Sequence, residues 1–170
     1  MDYFSLISQR ESCRNYDPNR PVSHQQLTRC LEAARIAPSA CNSQPWSFVV
    51  VNQPELSAQV AECLQGLGMN KFSENCPTFI VVVEEKATLS ARLGGIDIGI
   101  ATAHLVLAAT EQGLSTCIMG WFHEGKLKNL LPIPKEKRIR LVIGVGYAAK
   151  EGLRPKKRKS LPEIATFLES

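Results

Sequence analysis

Apolar residues recur at helical spacing through the first third of the chain. Tyr3, Phe4 and Ile7 share one face of a short helix that stops near Arg10. A second helix is predicted from Ser23, a suitable N-cap, through Leu27, Cys30, Leu31, Ala34 and Ile36, until Pro38 ends it. Residues 47–52 are then short and β-branched, which predicts a buried strand. Pro54 opens a third helix carrying Leu56, Val60, Cys63, Leu64 and Leu67, and Pro77 introduces a second buried strand over residues 79–83. From 94 to 113 the chain is apolar on nearly every side. That pattern predicts a helix buried at the centre of the domain or between two copies, with Gly99, Ala101, Ala103, Ala108 and Ala109 permitting close approach. Ser115–Met119 reads as a third strand, residues 124–131 as a short helix ended by Pro132 and Pro134, and residues 141–145 as a fourth strand before a tail that begins after Tyr147.

This order of helices and strands predicts a three-layer arrangement of helix, sheet and helix. With 170 residues, 44% of them apolar and 21% charged, the chain makes one domain with a real core and lacks the composition of a disordered protein. The dinucleotide fingerprint is missing: Gly144 and Gly146 follow a strand, but residues 147–150 open no helix. The P-loop pattern is missing too, so a phosphorylated ligand must be held by side chains as well as by backbone. The net charge of +4 is localised, because Arg154, Lys156, Lys157, Arg158 and Lys159 fall within six positions. Without them 15 basic residues face 16 acidic ones, a balance of −1. A uniformly basic nucleic-acid coat is excluded, whereas a local anion site is not. Cys13, Cys30, Cys41, Cys63, Cys76 and Cys117 show no C-x-x-C pair and no metal-ligand spacing, and are expected as reduced thiols in a cytoplasmic protein. The N-terminus does not read as a secretory signal, and the strongest apolar run, 79–83, is too short to span a membrane.

Four segments carry candidate chemistry. In residues 10–16 (Arg-Glu-Ser-Cys-Arg-Asn-Tyr), two guanidinium forks flank a hydroxyl, a set suited to a phosphate dianion; the alternative is a solvated helix end. Residues 37–46 (Ala-Pro-Ser-Ala-Cys-Asn-Ser-Gln-Pro-Trp) form a polar loop bracketed by prolines. Asn42 and Gln44 there complement an imide-like ring edge, and Trp46 is either a packing platform for a ligand or a core residue. At the end of the third strand, Gly120 lets the backbone approach a planar ligand, while Trp121 and Phe122 suit packing better. The basic run 154–159 fits a solvated tail, a localisation signal or a nucleic-acid patch, although it lacks the aromatic residues used in base stacking.

Together the four segments resemble the nitroreductase family of flavoproteins over almost the whole chain. The motif carriers are Arg-x-Ser-x-Arg-x-Tyr, Ala-Pro-Ser-x-x-Asn-x-Gln-Pro-Trp-x-Phe, Gly-Ile-Asp-Ile-Gly leading to Glu-Gln-Gly-Leu-Ser-Thr-Cys, and Lys156-x-Arg158 followed by Leu161-Pro-Glu-Ile. The resemblance implies a single α+β domain over residues 1–170, with a three-layer α-β-α nitroreductase-like fold that forms an intertwined homodimer and binds FMN tightly at each interface. By the same resemblance Arg10, Ser12 and Arg14 hold the phosphate and ribityl chain, joined by Lys156 and Arg158. Pro38, Ser39, Asn42 and Gln44 contact the flavin from the partner subunit, and Ile118, Met119 and Gly120 lie against its ring system. Asn70, Lys71 and Ser73 are nearby polar candidates. The chain is shorter than larger family members, which leaves the substrate side open or covered by Phe72, Trp121 and Phe122.

The implied activity is a ping-pong transfer of two electrons from NAD(P)H, through flavin N5, to a nitroaromatic, quinone-like or related acceptor. No catalytic side chain, metal, nucleic acid or membrane is needed. His24, His104 and His123 share no spacing, and a buried Asp97 must be paired and structural. The alternatives are other flavin chemistry on the same fold, such as reductive dehalogenation or flavin handling, and a non-enzymatic anion-binding or nucleic-acid-binding module that uses residues 154–159.

Overall fold

The computed structural model describes residues 2–86, 91–150 and 152–169. Helix α1 (Tyr3–Gln9) is capped by Asp2, whose carboxylate accepts from Ser5 N–H at 3.1 Å. Helix α2 (His24–Arg35) begins with a reciprocal capping box. Ser23 Oγ accepts from Gln26 N–H at 3.2 Å, and Gln26 Oε1 accepts from Ser23 N–H at 3.1 Å. Ile36 lies just past this helix and is exposed, so it does not extend the apolar face expected of it.

Strand β1 (Trp46–Val51), helix α3 (Pro54–Leu64), strand β2 (Thr78–Glu84), helix α4 (Ala91–Glu111), strand β3 (Ser115–Met119), helix α5 (Glu124–Leu130) and strand β4 (Arg138–Gly146) follow in the expected order. The strands form one sheet in the order β1-β2-β4-β3, and every neighbouring pair is antiparallel. Alternation along the central strand β2 separates two cores. Phe79, Val81 and Val83 face Val60, Leu64 and Leu127 on the α3 and α5 side, while Ile80 and Val82 face Leu27, Ala34, Ile98 and Leu105 on the α2 and α4 side. This is the α-β-α layering the pattern predicts.

Two boundaries differ from the sequence reading for physical reasons. Strand β4 starts at Arg138, before the apolar run, because outward charges interrupt the pattern; Arg140 Nε lies 3.0 Å from Glu84 Oε2 and Lys137 Nζ 2.6 Å from Glu85 Oε1. Helix α4 ends at Glu111 in a Schellman motif. Gly113 at φ 75° takes the left-handed position, with Leu114 N–H donating to Ala109 C=O at 2.9 Å and Gly113 N–H to Thr110 C=O at 3.0 Å. The stretch Leu93–Glu111, with mean hydropathy 1.5, is long and apolar enough to cross a membrane by length and composition; here it packs on α2 and the sheet.

Candidate functional site

Residues 10–16 run along the free edge of β3. Arg10 ends α1, Ser12 forms a parallel bridge with Thr116, and Cys13 N–H donates to Thr116 C=O at 2.8 Å. Cys13 and Tyr16 are the anchors: both are buried, and Tyr16 Oη donates to Gly144 C=O at 3.2 Å. Extended backbone alternates its side chains, so fixing Cys13 inward leaves Ser12 half-buried and Arg14 in solvent. Among the described residues neither the Arg10 nor the Arg14 guanidinium has a carboxylate within ion-pair distance. The neighbouring thiols supply no charge either. Burial pushes Cys13 and Cys117 up, the latter against the pull of Arg14, Arg154 and Arg10, so both stay neutral.

The tail returns to this edge. Arg154 Nε lies 3.3 Å from Glu11 Oε2 and its Nη2 donates to Ser12 C=O, while Lys156 Nζ donates to Ser8 C=O. Lys156 therefore reaches the end of α1, at Ser8, two residues before Arg10. Arg158 does not: its Nη1 donates to Lys157 C=O at 2.8 Å and the side chain is exposed. Arg154, without a role on sequence grounds, is the latch of the tail. The one signal for it is Glu11, an acid between two arginines.

The loop after α2 is shaped by strained backbone. It contains the 3-10 turn Ala40–Asn42, and Cys41, Asn42 and Gln44 have φ of 51°, 53° and 45°, conformations costing of order 1 kcal/mol each without glycine. Ser39 Oγ accepts from Gln44 N–H at 2.9 Å, and Gln44 Nε2 donates to Asn42 Oδ1 at 3.1 Å and to Asn42 C=O at 3.2 Å. This clasp leaves Asn42 Nδ2 as a donor and Gln44 Oε1 as an acceptor, both on exposed residues, with Pro38 exposed beside them. Trp46 is buried with Ala37 and Ile80, so it is a core residue. Asp97, on α4, is buried and its Oδ1 accepts from Ala40 N–H at 3.1 Å.

At β3, Ile118 faces the α4 side in a cavity of about 380 Å³ with Arg10, Thr102, Val106 and Leu141. Met119 points the other way into the α3 and α5 core and can offer a ligand only its backbone. Gly120 is exposed, with open space where a Cβ would stand. Trp121 folds over Gly66, where an added Cβ would sit 2.1 Å from the indole. Asn70 Nδ2 fastens this exit, donating to Leu64 and Trp121 C=O at 3.1 Å each. Ser73 is buried on Ala61 C=O and Lys71 is exposed; Phe72 and Phe122 pack on the core.

One chain does not bring the loop and the Arg10–Arg14 segment together. Trp46, at the loop's end, is level with Glu84 and Arg138, whereas Thr116, beside Ser12, is level with Val145 and Thr78. They stand at opposite ends of the sheet and on opposite edges, about 20 Å apart along the strands and roughly 14 Å across them.

A four-stranded antiparallel sheet between helical layers, with a cationic edge and a polar loop, defines an α+β class of domain. The comparisons narrow it. The Nitroreductase family profile matches residues 7–147. An Exiguobacterium sibiricum 255-15 protein solved in complex with FMN superposes with a TM-score of 0.86 at 24% identity, covering 98% of this chain and 97% of that one. A Bacillus subtilis (strain 168) protein, YdgI, provisionally named an NAD(P)H nitroreductase, is 25% identical over 89% of this chain and 90% of its own. Iodotyrosine deiodinase 1 of Pongo abelii is 24% identical over 98% of this chain and 68% of its own. The chain belongs to the nitroreductase family.

Proposed function

We propose that this protein is an FMN-dependent oxidoreductase that takes two electrons from NAD(P)H and passes them to a nitroaromatic, quinone-like or related acceptor, working as a homodimer. The observation that carries the reading is the pair of guanidiniums, Arg10 and Arg14, which have no carboxylate at ion-pair distance among the described residues and flank the Ser12 hydroxyl on one edge of β3. Fork-shaped, permanently charged donors beside neutral thiols fit a phosphate dianion, and Lys156 adds a fourth contact. When bound, the flavin supplies the hydride chemistry at its N5. The chain holds and orients. Arg10, Ser12, Arg14 and Lys156 fix the phosphate, while Ile118, the Met119 backbone and Gly120 lie along the ring.

Pro38, Ser39, Asn42 and Gln44 would serve the same ligand from a second copy, because three strand spacings separate them from the phosphate edge of their own chain. Arg158, exposed in the single chain, has the same need of a second copy. Similarity to a deiodinase supports one further reading, reductive dehalogenation on the same flavin.

Anaerobic titration tests the proposal. NADH or NADPH is expected to bleach the bound flavin, and a nitroaromatic or quinone to restore its colour; restoration by an iodotyrosine alone would favour the second reading. Arg10→Ala and Arg14→Ala are each expected to weaken FMN binding roughly ten- to a hundred-fold, the loss of a charge-assisted bond worth about 1.5–3 kcal/mol. A chain that purifies without flavin and takes up none would overturn the reading.

A further inference from the structure

We infer that Asp97 is a positioning residue that holds the Ser39–Gln44 loop in its ligand-ready shape, an inference that rests on the flavin reading above. Asp97 is 4% exposed on a helix apolar on nearly every side, where a carboxylate costs stability unless hydrogen bonds compensate it. Yet among the described residues it receives one bond, from Ala40 N–H at 3.1 Å, and its Oδ2 has no partner. A residue serving stability alone is poorly matched to that position.

The loop shows what the bond is for. Ala40 opens the 3-10 turn, and its N–H is one that a turn's own backbone leaves unpaired. Ser39 occupies the N-cap position but makes no capping bond. Its hydroxyl is spent instead on Gln44 N–H, closing the loop at 2.9 Å. Capping therefore passes to Asp97, which lies 57 residues away in sequence. Between these two tethers stand Cys41, Asn42 and Gln44, all in the left-handed region. Without the Asp97 tether the turn can relax, and the amide pair Asn42 and Gln44 loses its fixed donor and acceptor. The Arg10–Arg14 edge, at the far corner of the sheet, keeps its shape.

The test is a double-mutant cycle of Asp97→Ala and Ala40→Pro, the second removing the same bond from the donor side. A proline is compatible with the first position of the turn and with the extended backbone of Ser39 before it. FMN affinity of the apoprotein and the visible band of the bound flavin are read well below each variant's melting temperature. Each single variant is expected to lose about tenfold in FMN affinity and to shift the band toward that of free FMN. The double variant is expected to lose no more than either, and Asp97→Asn, which keeps the Oδ1 acceptor, to restore wild-type binding. Wild-type affinity and band in Asp97→Ala, or fully additive losses in the double variant, would overturn the inference. Should Asp97→Ala fail to fold, Ala40→Pro alone decides, with wild-type binding and band sinking the idea. Failure of the unaltered chain to bind FMN would instead sink the flavin reading.

Discussion

Cys41 is the one exposed thiol of the six, and it sits in the strained loop at φ 51°. Burial pushes Cys30 up to about 11 and Cys76 up to about 12, and raises Cys13, Cys63 and Cys117 as well. Since the thiolate is the reactive form, a disulfide reagent near neutral pH is expected to titrate one thiol rapidly in the folded chain and all six in denaturant. Rapid reaction of a second thiol in the folded chain would contradict this burial. Residue by residue, legibility followed distance along the chain. The shared edge of Arg10, Ser12 and Arg14 could be read because their spacing is local. The role of Arg154 could not, and for Asp97 the need of a partner could be read but not which one, because Glu11 and Ala40 lie 143 and 57 residues away. Trp46 stood open between two readings that only packing could separate, and Arg158 was grouped with the clamp although its own chain leaves it in solvent.

At the scale of elements, start signals made two helices readable: Ser23 before α2 and Pro54 at the start of α3. Strand pairing was not readable, since alternating helices and strands do not specify which strands meet or in which direction. The charged start of β4 was hidden for a related reason, as its two arginines meet one acid on β2, Glu84, which lies opposite Arg138 and 3.0 Å from Arg140 Nε. Glu85, just past β2, joins three parts of this end of the sheet. It accepts from Lys137 Nζ and from Ser47 Oγ at 2.6 Å each, and its N–H donates to Pro45 C=O at 3.0 Å. The hydrogen bonds from Lys137 and Ser47 hold its carboxyl below the ordinary 4.5. A carboxyl lowered on folding contributes stability that is complete above the unfolded value and disappears as pH falls through the folded one. Urea unfolding of Glu85→Gln is therefore expected to show a constant deficit against wild type above that window, closing as pH falls through it. A deficit that persists unchanged in acid would mean that the ionised carboxylate contributes nothing there.

For the whole molecule, the single chain leaves too much apolar surface uncovered. Along α4, Ile96, Gly99 and Ala103 form an exposed line of apolar and small residues, and in the tail Leu161, Ile164, Phe167 and Leu168 are all exposed. Exposed apolar surface of this kind supports the homodimer proposed above. The same conclusion follows from the polar side of the molecule, where the loop and the phosphate edge stand at diagonal corners of one sheet. If two copies complete each flavin site, association and cofactor binding must be lost together. Placing a charge on the α4 line with Ala103→Glu, and separately ending the chain after Ser160, are each expected to give a folded monomer by sedimentation, with FMN affinity reduced at least as much as by Arg14→Ala. Truncation leaves Arg10, Ser12, Arg14 and Lys156 in place, so its loss of affinity can be assigned to the missing copy, whereas Ala103 lines the cavity that holds Arg10 and Ile118, so there the sedimentation result carries the test. A monomeric wild-type chain that binds FMN with full affinity would show instead that one chain suffices and that the Ser39–Gln44 loop has another use.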